Sequence, residues 1–110
     1  MLEINEKTEI LVYKYPVDMR KSFTGLTSLT KNILNENPES GRLFVFIGKS
    51  KRIVKILKWD RTGYEIYAKK LGSSNFRIFT ENAKTSINKG KLLQFLDGIP
   101  LGIKRKICYK

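Results

Sequence analysis

The stretch of residues 41–71 (GRLFVFIGKSKRIVKILKWDRTGYEIYAKKL) constrains the fold more than any other part of the chain. Three runs rich in β-branched and aromatic residues, at 43–47, 53–59 and 64–71, predict three strands. Short polar connectors at 48–51 and 60–63 join these runs, so we expect a meander. The second connector has Asp first and Gly fourth, which predicts a type I turn. The first run, LFVFI, is apolar throughout, as is typical of a central strand covered on both faces.

A strand and a long helix are predicted before this meander. Residues 10–15 (ILVYKY) favour a strand that Pro16 ends. The helix is expected at 19–36 with Asp18 as its N-cap, because a carboxylate there accepts free amides of the first turn. Asn37 and Pro38 end it. An apolar stripe at helical spacing supports the helix, and its members are Met19, Phe23, Leu26, Leu29, Ile33 and Leu34.

The chain after the meander predicts three further elements. Residues 76–79 are expected to add a fourth strand to the meander, and residues 81–85 are expected to be a loop. Asn88 favours the start of a short second helix, since its side chain is a good N-cap. Gly98 and Pro100 would end that helix. Its inward-facing residues are expected to be Leu92, Leu93, Leu96 and Phe95.

Together these elements predict one α+β domain over residues 1–110, flanked by an acidic segment at 1–9 and a basic tail at 102–110. The sheet is expected to be mostly antiparallel, with about five strands and the long helix on one face. The short C-terminal helix would close an edge or an end of the core. Core aromatic residues are expected to be Phe23, Phe44, Phe46 and Phe76, joined by Trp59 and Tyr67, although rings of the last two residues also suit base stacking.

Charge is the second informative property. The net charge is +12, and residues 49–70 hold eight bases against two acids, a local charge of +6. Such an excess usually has a polyanionic partner, of which nucleic acid is the commonest. The single cysteine, Cys108, excludes an internal disulfide, and neither a signal peptide nor a membrane-length apolar run is present. We therefore expect a cytoplasmic protein without a membrane partner.

Composition argues against catalysis. The chain lacks histidine, which removes the usual general base and the imidazole metal ligand. Its ten acids are scattered, whereas a two-metal nuclease needs several converging carboxylates. No phosphate-cradling glycine loop is present either. We expect no enzyme activity, cofactor or metal, and a nuclease centred on Asp60 is the remote alternative.

Several short motifs follow one another in a characteristic order. They include Asp18-Met19-Arg20, FTGL at 23–26, KILKWDRTG at 55–63 and AKKL at 68–71. Over about residues 13–99 the chain resembles the second-open-reading-frame accessory protein (TnpB type) of the Insertion Sequence 66 family of bacterial transposable elements. It departs from the family pattern at Lys70, where Arg is usual, and at 78–79, where Trp-Pro is frequent. The resemblance implies an accessory factor needed for transposition, encoded beside a larger transposase that carries the acidic catalytic residues.

The expected function is therefore DNA binding by a non-enzymatic transposition factor. Contacts to phosphates would make it largely indifferent to base sequence. Regular strands place Lys55 and Lys58 on opposite faces, and likewise Lys69 and Lys70, so the positive charge divides between two surfaces. The predicted contact residues are Lys49, Lys51, Arg52, Lys55, Arg61, Lys69, Lys104, Arg105 and Lys106.

Two alternatives stay open from sequence. Asp18, Arg20 and Lys21 either hold a phosphate with free helix amides or form a structural ion pair, with Arg20 bound to Asp18 or Asp60. The protein as a whole is either a DNA-binding factor or an adaptor that docks onto the transposase or another element-encoded protein. The sequence leaves the oligomeric state, and RNA against DNA, undecided.

Overall fold

The computed structural model describes residues 3–102, which form a five-stranded sheet covered on both faces. The sheet order is β4-β3-β2-β1-β6. Strands β1 and β2 pair in parallel and the other neighbours are antiparallel, which confirms the predicted α+β class. In chain order the elements are β1 (Ile10–Tyr13), α1 (Phe23–Asn32), β2 (Leu43–Ile47), β3 (Ile53–Asp60), β4 (Gly63–Lys70), β5 (Ile78–Phe79), β6 (Lys84–Ile87), α2 (Lys89–Leu96) and β7 (Leu101–Gly102).

Strand β2 lies at the centre, and all five of its residues are buried. The face that carries Phe44 and Phe46 packs against α1 through Leu26. The face that carries Val45 packs against α2 through Leu92. A fully apolar strand needs a layer on each side, and this explains why α2 covers a face and does not close an edge, as the sequence had suggested.

The long helix predicted at 19–36 is wrong in its extent, because α1 spans only ten residues. Asp18 is not its N-cap. The Asp18 carboxylate instead accepts the backbone N–H of Arg20, and a turn bond joins the Lys21 N–H to the Asp18 carbonyl. The helix starts after Ser22, whose side chain makes no capping bond, and the left-handed backbone of Asn35 (φ 57°) follows its end. Phe23, predicted in the core, is consequently 48% exposed.

Two predicted elements of the C-terminal third are wrong. Residues 76–79 do not extend the meander, because Ile78 and Phe79 pair in parallel with β7 in a separate two-stranded sheet. The Gly102 backbone (φ +79°) approaches Phe79 so closely that a Cβ there would lie 2.6 Å from the Phe79 carbonyl oxygen. The expected loop at 81–85 includes the first two of the four residues of β6, which pairs antiparallel with β1.

Smaller corrections concern turns and helix faces. Arg61 has a positive φ of 43°, so the β3–β4 turn is not type I. In α2, Asn88 Oδ1 accepts the Lys91 backbone N–H at 2.8 Å, which confirms the predicted cap. Leu93 is 46% exposed, although it was expected inside. Tyr67 packs against the α2-side core, and half-buried Trp59 meets Tyr64 edge to face at 4.9 Å.

Candidate nucleic-acid interface

Exposed cations gather at the end of the sheet where β2 and β4 finish and β3 begins, which we call the basic end. The β2–β3 hairpin tip supplies three of them and the last residue of β4 a fourth, since Lys70 lies opposite Ile53. The fifth belongs to the segment before α1, which packs over β3. All five side chains are exposed. They are Lys21, Lys49, Lys51, Arg52 and Lys70.

The hairpin tip is braced by neighbouring backbone. The Gly48 N–H donates to the Ile53 carbonyl at 2.9 Å and closes the turn. The Lys51 carbonyl accepts the Phe76 N–H at 2.6 Å, and the Arg52 carbonyl accepts the Leu71 N–H at 2.8 Å. Because the connection after β4 holds the tip from one side, its cations project from a fixed backbone.

A second brace comes from the segment 16–22. Val17 forms a parallel bridge with Gly48, which is buried. A Cβ at Gly48 would lie 2.5 Å from Met19 Cγ, so only glycine allows Met19 to pack there without displacement. This segment thereby brings Lys21 to the basic end.

Two residues of the hairpin tip differ from an ordinary exposed turn, one in its backbone and one in its side chain. Lys51 has a positive φ of 64°, which a residue with a Cβ adopts at a cost of about 1–2 kcal/mol. Strain of this kind recurs at functional sites. The Arg52 guanidinium donates one bond from Nη1 to the Gly72 carbonyl at 3.0 Å, which orients the group. Arg carries five N–H donors, so the remaining donors are available to a phosphate.

Lys55 and Lys69 are placed differently from what the sequence suggested, because each ammonium binds backbone carbonyls. Lys55 Nζ donates to the carbonyls of Met19 and Lys21, both at 2.8 Å. Lys69 Nζ donates to the Leu96 carbonyl at the end of α2 at 2.8 Å, and Asp97 lies 4.0 Å away. These two lysines hold the layers of the fold together and face opposite sides of the sheet.

Arg61 is also separated from the basic end. It lies in the β3–β4 turn, at the other end of a strand of eight residues, or about 25 Å. There it lines a polar recess with Lys58, Glu3, Asp60 and Glu65. Three acids outnumber two bases at this recess, so it does not extend the basic end. Lys104, Arg105 and Lys106 lie outside the described residues.

Arg20 pairs with Asp18 and not with Asp60. Its Nε and Nη2 atoms donate to the Asp18 carboxylate at 2.7–3.1 Å. This hydrogen bonding, helped by the charge of Lys49, holds the pKa of Asp18 well below its usual range. The ion pair is exposed, with 92% of the Arg20 side chain accessible, so its Nη1 donors still face solvent.

Carboxylates elsewhere neutralise other bases. Glu36 accepts from Arg42 Nη1 at 2.7 Å and from Lys84, and the Arg42 Nε donates to Glu9 at 2.6 Å. The hydrogen bond from Lys84 lowers the pKa of Glu36. Within residues 3–102, ion pairs engage Arg20, Arg42, Lys69 and Lys84. Over that range the five cations of the basic end form none, so their charge faces solvent.

Sequence reasoning missed Lys70 as a member of this group. Its face could be deduced from strand alternation, yet its position beside Arg52 depends on the β3–β4 register. Among residues 3–102, no three Cys, Asp or Glu side chains gather as a metal site would require. The helices in that part of the chain are too short and too polar to cross a bilayer.

Comparison with known proteins identifies relatives. A family model described as IS66 Orf2 like protein matches residues 8–106. The uncharacterized protein y4hO of Sinorhizobium fredii (strain NBRC 101917 / NGR234) is 29% identical over 100 residues, which are 90% of this chain and 87% of that protein. The uncharacterized protein y4jC of the same strain is 34% identical over 67 residues, 61% of this chain and 57% of its own length. No solved structure matches.

Proposed function

Because the chain belongs to the IS66 Orf2-like family of insertion-sequence accessory proteins, we propose that it is a non-enzymatic accessory factor for DNA transposition that binds DNA through the basic end. Five exposed cations without an ion-pair partner in residues 3–102 carry this proposal. We infer that it acts in the cytoplasm, where bacterial DNA lies.

The chemistry of the basic end suits phosphate contact. Four ammonium groups and one guanidinium face solvent, and phosphodiester oxygens accept hydrogen bonds from both. Because the hairpin tip is braced, binding immobilises little additional backbone, and side-chain ordering is the main entropic cost. A change of base sequence should alter the affinity for DNA little, since the cations contact the phosphates and not the base edges.

The test is fluorescence anisotropy with element-end and random duplexes over a range of salt concentrations. Five neutralised phosphates predict a slope of log affinity against log salt near −4.5, or about a 500-fold loss between 50 and 200 mM salt. The triple variant Lys49→Ser, Lys51→Ser and Arg52→Ser removes three contacts, and its slope should be near −2.

A matched control removes the same charge elsewhere. Lys7, Arg61 and Lys91 are exposed and lie outside the basic end, so their triple Ser variant also lowers the net charge from +12 to +9. It should keep most of the wild-type slope. The proposal is wrong if both triple variants lose affinity equally, or if wild-type protein shows no binding at low salt.

A second candidate function is that of an adaptor for the transposase. Strand β4 favours it, because this eight-residue strand stands at the edge of the sheet with β3 as its neighbour. Edge strands accept a further strand from a partner through backbone hydrogen bonds. Such pairing withstands salt, unlike phosphate contacts. Co-purification with the transposase in high salt, without DNA binding in low salt, would favour the adaptor.

A further inference from the structure

Two large aromatic side chains face solvent at the two ends of the segment 16–22. Within residues 3–102 the exposed large apolar side chains are Tyr15, Phe23, Ile33, Leu93 and Ile99. The two aromatic members flank the segment 16–22, which packs on the hairpin tip through Val17 and Met19. Scattered apolar residues are normal on protein surfaces. Two exposed rings at the ends of a segment that carries Lys21 and packs on the hairpin tip form a more specific arrangement.

The Tyr15 side chain is held by neighbouring groups although half of it is exposed. Pro16 restricts its backbone to extended conformations. Its ring meets Tyr13 edge to face at 5.8 Å, and Tyr13 meets the buried Phe46 at 6.3 Å, so a chain of rings leads from the core to the surface. Lys14 Nζ lies 5.8 Å from the Tyr15 ring centre. A flat apolar surface is thus held beside an ammonium group.

Phe23 occupies the other side of the segment, two residues after Lys21. As the first residue of α1 it lines an open groove of about 390 Å³ together with Thr27 and Tyr64. Lys31 and Asn32 lie further along the same groove. Its walls combine aromatic rings with polar groups, as ligand-binding grooves commonly do.

We propose that Tyr15 and Phe23 stack on unpaired bases, so that the basic end binds single-stranded DNA in preference to duplex. The inference rests on the proposed DNA-binding function and specifies its ligand. A ring that is half open to solvent stacks on any base, because every base presents a π-face. In duplex DNA those faces are already stacked within the helix and are not available. The cations of the basic end would hold the flanking phosphates.

The experiment compares three fluorescent probes of equal phosphate number: oligo-dT, a duplex and an abasic oligonucleotide. The abasic probe keeps the charge and lacks the bases. We expect wild-type protein to bind oligo-dT at least tenfold more tightly than the abasic probe, since stacking on a single base contributes about tenfold. The duplex should bind more weakly than oligo-dT.

Variants assign the preference to the rings. Tyr15→Leu and Phe23→Leu should each lower oligo-dT affinity about tenfold and leave the affinity for the abasic probe unchanged. Tyr15→Phe keeps the ring and should bind like wild type. Leu93→Ser is the control, as it removes an exposed apolar side chain from α2. Thermal unfolding of each variant verifies that the fold is intact.

The outcomes separate this inference from the function on which it depends. Equal affinity for oligo-dT and the abasic probe, with strong salt dependence, would overturn the stacking inference and leave DNA binding standing. An unchanged affinity of Tyr15→Leu and Phe23→Leu would overturn it likewise. Absence of binding to all three probes at low salt would overturn the proposed function itself.

Discussion

Lys55 gives the sharpest test of the distinction between cations that would contact DNA and cations that bind backbone carbonyls within the fold. The sequence placed Lys55 among the DNA contacts, whereas its ammonium donates to the carbonyls of Met19 and Lys21. Replacing it by Met keeps an unbranched apolar stem of similar length and removes the three N–H donors. The segment 16–22 then loses its bond to β3, and two carbonyls lose their partner.

The size of the effect follows from those two bonds. A hydrogen bond to a charged group contributes about 1.5–3 kcal/mol net, and a freed carbonyl that reaches water recovers part of it. Because Lys55 is half-buried, we expect Lys55→Met to lower the free energy of unfolding by about 2–3 kcal/mol. A urea m-value in the usual range for small domains converts this loss into a midpoint lowered by about 1–2 M.

Lys70→Met is the matched control, since Lys70 lies on the same face of the sheet and is exposed. It should leave the urea midpoint almost unchanged and weaken the salt slope of DNA binding by about 0.9. Lys55→Met should do the reverse, with a large loss of stability and a much smaller change of slope. Urea denaturation and anisotropy titrations on both variants measure the two quantities.

The opposite result would refute the reasoning. If Lys55→Met unfolds at the wild-type urea concentration and loses a full phosphate contact, Lys55 is a DNA ligand and its hydrogen bonds contribute no stability. Equal losses of stability in both variants would show that removing any cation from this face destabilises the sheet.

Three further predictions concern the turn, the ion-pair cluster and the close approach at the basic end. Lys51→Asn should raise the free energy of unfolding by about 1 kcal/mol, because Asn tolerates positive φ, and urea denaturation measures this. The same variant should weaken DNA binding in anisotropy titrations. Glu36→Gln should be less stable than wild type at neutral pH. The hydrogen bond from Lys84 lowers the folded-state pKa of Glu36, so the ionised carboxylate stabilises the fold above about pH 4.5 and this stabilisation is lost as pH falls and Glu36 is protonated. The stability difference between wild type and Glu36→Gln should therefore shrink below that pH, and urea midpoints measured against pH test this. Gly48→Ala should lower the thermal midpoint by displacing Met19, and Met19→Ala added to it should restore part of the loss.

The central meander could be predicted because its signals are local. An apolar run such as LFVFI specifies a strand buried on both faces wherever it lies in the chain, and β2, β3 and β4 were found at their expected places. The cap at Asn88 depends on one side chain and one nearby amide, so it was found as well.

The sequence predictions differ from the structure where residues distant in the chain determine the local conformation or the position of a side chain. Strand β6 (KTSI) has little strand signal of its own, and β1 supplies the edge that makes it a strand. Asp18 suits a helix cap in isolation, yet Arg20 takes its carboxylate. At the basic end the hairpin cations are exposed, as DNA contact would require, and that contact stays a prediction. The sequence could not show that Lys55 and Lys69 are bound to carbonyls more than twenty residues away.

The interior position of β1 has a consequence for how this protein is made. Strand β1 is translated before the other strands. One of its two neighbours in the sheet, β6, begins only at Lys84. Until most of the chain has been translated, the nascent sheet therefore carries an open flank along β1. Long-range pairing of this kind slows folding and exposes the intermediate to aggregation. A product truncated before Lys84 should accumulate as insoluble material, whereas full translation closes that flank.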